Sequence, residues 1–192
     1  MGATFGTPRR HVDAALAQAD RAQQEFLSQL RTEAREILSR LSDEEFCVVL
    51  AGRPYHGDPL VNHSVARYFT RQGIPVIPLD ALPELEEVEH DGVRAEGTIN
   101  FHVRMLSGAI AVARHPRLEL VQIVSFGCGH DAILTDEVTR IMRTISDRDS
   151  LVLKLDESDA DGPLQIRIRS FISTVRSRRA RGERVKPRAL GD

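Results

Sequence analysis

A cysteine between two glycines, followed at once by histidine and aspartate, is the string with most chemistry in this chain: Ser125-Phe126-Gly127-Cys128-Gly129-His130-Asp131. Glycine allows positive φ and lets another group come close to the backbone. A thiol beside free backbone N–H groups at a helix N-terminus is favoured as the thiolate, which attacks electrophiles and binds metal. Three uses of Cys128 follow. It can ligate a metal. It can be the nucleophile of a hydrolase or transferase at a strand–turn–helix elbow. Or it can fill space as a small buried hydrophobe. His130 lies two residues away, a spacing that rarely brings a ring onto the same residue's sulfur. The base of a nucleophilic mechanism would therefore be His56.

The second string is Gly52-Arg53-Pro54-Tyr55-His56-Gly57-Asp58. A guanidinium at Arg53 suits a phosphate or carboxylate, or offsets a thiolate charge. Equally, it can pair with an acid on a helix. Arg53, Tyr55, His56, Gly127 and Gly129 are the candidate cofactor-binding residues, and Cys128 the candidate metal ligand. Asp58-Pro59 reads as a helix N-cap followed by proline at the first helical position. His56, His63 and His130 lack the paired spacings of a self-contained zinc site. No GxxxxGK[ST] loop and no GxGxxG follow the first strand, so neither a self-sufficient ATPase nor a dinucleotide enzyme is expected. Cys47 sits inside an apolar run and reads as structural.

These strings need a frame. Thr7-Pro8 reads as an N-cap followed by proline at the first helical position, and after it apolar residues recur at Leu16, Ala19, Phe26, Leu30, Ala34, Ile37, Leu38 and Leu41. That spacing predicts one long helix with an apolar face. It straps the domain or docks on another chain. The period then changes. Phe46–Ala51 reads as a strand buried on both faces. A helix from Asp58 with Val61, Val65 and Phe69 inward follows, then a strand at 74–77. An acidic loop spans 80–97. A helix marked by Ile99, Val103, Leu106 and Ile110 leads to a strand at 118–124. Another helix carries Val138, Ile141, Met142 and Ile145. The strand 151–155 is followed by Asp156 and Glu157, and a last helix carries Leu164, Ile168, Phe171, Ile172 and Val175.

Repeated strand–helix units specify a parallel sheet with helices on both faces. The expected fold is α/β: a three-layer, Rossmann-like or flavodoxin-like sheet of about four strands, order 2-1-3-4, with a long N-terminal helix. Three segments are expected: 1–44 the helix, 45–178 the α/β domain, 179–192 a basic, disordered tail. In that strand order the chain reverses direction between strands one and three. Ligands of open sheets sit at that reversal, outside the carboxyl ends. The turns 52–58 and 125–131 both belong there.

Composition sets outer limits. The chain has 192 residues and a formal net charge of −2, which argues against nucleic acid as a partner. Residues 84–96 carry six acids against Arg94, and residues 167–188 carry nine bases against Glu183. No apolar run suffices for a membrane span. Two cysteines make no disulfide framework, and the expected compartment is the cytoplasm.

Four strings in order resemble one family: Ala51–His63, Ser125–Ala132, Leu153–Glu157 and Ile166–Phe171. From about Phe46 to Ser173 the chain is similar to the uncharacterised dehydratase-like domain of acyl-CoA dehydratase activase-related proteins. The resemblance implies an α/β lobe that helps hold an iron–sulfur cluster of the 4Fe–4S type, with Cys128 as one thiolate ligand. A cubane usually takes four cysteines. The others would come from a partner chain or a second copy, so a protein partner or homo-oligomer is implied. On this reading the chain is a stand-alone or truncated accessory module in acyl-CoA dehydratase-type electron transfer, without ATPase of its own. The alternatives are the cysteine nucleophile with Cys128 and His56, and a scaffold without chemistry.

Overall fold

The computed structural model describes residues 6–83, 85–94, 100–124, 129–155, 161–183 and 185–190. Helix α1, Arg9–Arg40, leads into strand β1, Cys47–Ala51. Helix α2, Val65–Thr70, precedes β2, Val76–Pro78; helix α3, Asn100–Arg114, precedes β3, Leu118–Val124. Helix α4, Gly129–Ser146, is followed by β4, Leu151–Lys154, and α5, Asp161–Ala180. The strands form one parallel sheet in the order β2-β1-β3-β4. This is the Rossmann/flavodoxin-like α/β fold expected from the sequence.

Side chains alternate across the sheet with period two. Cys47, Val49, Ala51, Leu118 and Leu120 face a core shared with α1, α3 and α4. Phe46, Val48, Val121, Ile123 and Leu153 face a second core built with α2 and α5. The layers are thus α1/α3/α4, sheet, α2/α5. Gly108 lets α3 approach the Leu79–Ala81 turn, because a Cβ there would lie 2.1 Å from Leu79 Cδ1.

Three expectations need correction. Helix α2 begins at Val65, not at Asp58. The Asp58 side chain accepts instead from the Leu60 N–H at 2.8 Å, which makes a local turn. His63 and Ser64 then take left-handed φ values of 50° and 52°, which no helix tolerates. Val61, expected inward, is 41% exposed. At the N-terminus, Pro8 is the cap and Arg9 the first helical residue, one position later than expected. The tail expected to be disordered from 179 instead continues α5 to Ala180 and folds back. The Arg188 N–H donates to the Ile145 carbonyl at 2.8 Å, and Leu190 is buried in the α1/α3/α4 core.

Only part of α1 lies on the domain. Leu30, Ala34, Ile37, Leu38 and Leu41 join the core. Leu16 and Phe26, on the same stripe, remain 59% and 58% exposed. No helix among the described residues is long and apolar enough to cross a membrane.

Candidate functional site

In a parallel α/β sheet each strand ends, and each following helix starts, at the carboxyl edge. The turn after β1 and the first turns of α3 and α4 therefore meet, because β1 and β3 are neighbours. Arg53 crosses this junction. Its Nη2 lies 2.6 Å from Asp131 Oδ1 and its Nε donates to Asp131 Oδ2 at 3.3 Å, a two-pronged pair. Asp131 is buried in the first turn of α4, where the helix dipole also favours a negative charge. The same guanidinium lies 5.4 Å from the centre of the Phe101 ring in the first turn of α3. Beside it, His102 and His130 stack at 5.9 Å.

Behind Arg53 the turn is fixed by His56. The Arg53 backbone N–H donates to His56 Nδ1 at 3.0 Å. Residue 52 has to be glycine, since a Cβ there would lie 2.6 Å from that same nitrogen. His56 is 4% exposed. Burial lowers its pKa, Arg53 lowers it further, and Asp131 opposes them. The neutral ring with Nδ1 accepting carries its proton on Nε2. The one lone pair of that ring is then engaged, and none is left for general base catalysis without breaking the Arg53 bond. Nε2 is buried with no hydrogen-bond partner. Asn62 braces the loop by donating from Nδ2 to the His56 carbonyl at 2.7 Å, and its own Oδ1 is buried without a partner. Tyr55 packs edge-on to His56 at 4.5 Å and is 43% exposed.

Four of the sequence candidates thus come together at one edge: Arg53, Tyr55, His56 and Gly129, the last being the first residue of α4. Gly127 and Cys128 lie outside the described residues, as do Asp156 and Glu157. Cys47 is fully buried, and burial pushes its thiol up to about 12, so it is no ligand. Among the described residues no group of three or more His, Cys, Asp or Glu is placed to hold a metal ion. The chain's only other cysteine is Cys128. Its own residues therefore do not fit a cluster of four thiolates.

Phe101, His102 and the pairing role of Asp131 were missed by sequence reasoning. A usable signal existed. An aromatic–histidine pair opening a helix that precedes a parallel strand must lie at the carboxyl edge.

Geometry of this kind is common to many α/β proteins and points to no family by itself. Residues 1–82 match the CoA enzyme activase uncharacterised domain. The activase-related match contains all of α1, β1, the Gly52–Asp58 turn, α2 and β2. It stops before β3 and the Cys128 string, whereas the resemblance read from the sequence runs from Phe46 to Ser173. No curated protein and no solved structure matches the chain.

Proposed function

We propose that the protein is a non-catalytic, accessory module of the CoA-enzyme-activase-related type, held to a protein partner by the free half of α1. The observation that carries this is the split of one apolar stripe. Its later residues, from Leu30 to Leu41, are buried against the domain, while Leu16 and Phe26 stand exposed. Leu16 and Phe26 thus continue, uncovered, the same helical stripe that packs on the domain further along. Residues 9–26 are about 27 Å of helix, long enough for a helix-on-helix interface.

Geometry places that free half. α1 precedes β1 and runs against the strands, with its packed half beside the Leu79–Ala81 turn at the carboxyl edge. Arg31 pairs with Glu86 in the loop beyond that turn at 2.8 Å. Continued in a straight line, the residues before it would extend toward the edge that carries Arg53 and Asp131. A partner seated on α1 would therefore overlook the candidate site. That site supports an accessory role, because Arg53 is already paired with a helix acid and His56 has no free lone pair.

The test is co-purification of the chain with a co-expressed CoA enzyme activase, compared with the Leu16→Glu/Phe26→Glu double variant. Wild-type chain is expected to co-elute, and the variant to elute alone with an unchanged unfolding midpoint. Equal co-elution of both forms would overturn the proposal. So would rapid, stoichiometric alkylation of Cys128 by iodoacetamide at neutral pH, which marks an activated nucleophile.

A further inference from the structure

The geometry points to an anion site in the cleft between α2 and α5, fitted to the phosphoryl group of a small phosphate monoester. The cleft has a volume of about 370 Å³ and is lined by Tyr68, Arg71, Gln72, Gln165, Ile168 and Arg169. That is within the range of small-ligand pockets. On α5 the residues 165, 168 and 169 follow the i, i+3, i+4 rule, as do 68, 71 and 72 across α2 and the turn after it. Two helix faces therefore converge on one space, with buried Ile168 as an apolar floor.

Many arginines are bonded within the fold: Arg53 to Asp131, Arg140 to Glu137, Arg178 to Glu119, and Arg167, Arg176 and Arg179 to backbone carbonyls. Among the described residues, no hydrogen bond or ion pair engages the side chains of Arg71, Arg169, Gln72, Gln165 or Tyr68. The two segments that line the cleft carry no acid of their own. Residues 59–77 contain Arg67 and Arg71 and no acid; residues 164–182 contain six arginines and no acid. Two guanidiniums from different helices can grip a dianion with several parallel N–H donors, while two amides and a phenol add neutral donors. The Tyr68 ring and Ile168 offer apolar surface to the ester's organic group.

Phenyl phosphate is the probe, titrated calorimetrically into the full chain at physiological salt, with benzoate as the comparison. Saturable binding of phenyl phosphate, about tenfold tighter than benzoate, is expected. The Arg71→Gln/Arg169→Gln variant should weaken it about a hundredfold, and Arg67→Gln, outside the cleft, no more than twofold. Failure to saturate, equal affinity for benzoate, or equal loss in Arg67→Gln would each overturn the site; the last would show a diffuse positive field. Unchanged binding in the double variant would overturn it as well. None of these outcomes touches the role of α1.

Discussion

Strand β3 carries a charged arginine cluster near each end, and the two behave differently. At the amino end, Arg148 is almost wholly buried. It donates to the carbonyls of Leu118 at 2.6 Å, Val112 at 2.6 Å and Ala113 at 2.9 Å. Its charge is balanced by Glu119, which Arg178 also engages. At the carboxyl end, Arg53 forms its two-pronged pair with Asp131 and keeps 28% of its side chain exposed. The residue types are the same. What separates a lock from an addressable site is how much of the group water still reaches. Arg148 closes the C-terminal end of α3, whose last carbonyls lack helical partners. Arg53 ties the turn after β1 to the first turn of α4, at the edge where ligands of such sheets bind.

Removing each arginine measures this contrast. Arg148→Leu should cost the most, about 3–5 kcal/mol in urea unfolding, because it leaves the buried Glu119 with Arg178 alone and several buried carbonyls without a donor. A loss close to zero would make Arg148 dispensable and erase the distinction. Asp131→Ala should cost less, about 2 kcal/mol, since Arg53 can turn its charge to solvent. Arg53→Lys should not restore wild-type stability, because an ammonium cannot reproduce the two-pronged geometry. Full recovery with lysine would show that the pair is only a point-charge contact.

The smallest effect is with pH. Burial lowers the pKa of His56 and also that of His115, where Arg117, Arg148 and Arg179 add to the effect. A histidine with a lowered folded pKa binds its proton more readily when unfolded, so stability rises with pH. The contribution is complete above the ordinary value of 6.5 and is lost as pH falls through 6.5 toward the lower folded values. Unfolding midpoints measured from about pH 8 to about pH 5 should decline, and less steeply in His56→Gln/His115→Gln. His56 reports on the carboxyl end and His115 on the amino end. The single variants therefore divide the slope between the two regions, and an unchanged slope in both would remove titration from the comparison.

Local pattern decided a good deal. The apolar runs of β1 and β3, the 3.6-residue spacing of α1, α3, α4 and α5, and the strand–helix alternation made the sheet and its order legible. With that order came the meeting of the turn after β1 with the start of α4, since neighbouring parallel strands must end side by side. Tertiary structure decided the rest. Asp58-Pro59 reads as a helix start, but the turn it makes ends in left-handed His63 and Ser64, and Asn62 ties it to His56. Leu16 and Leu30 share one stripe, and only the reach of the sheet determines which of them is covered. Residue type did not reveal that Arg53 meets Asp131, seventy-eight positions on, because a charge pair across the sequence leaves no periodic trace. Hydrophobic spacing is a local record of burial, whereas the partner of a charge is chosen by where the chain returns.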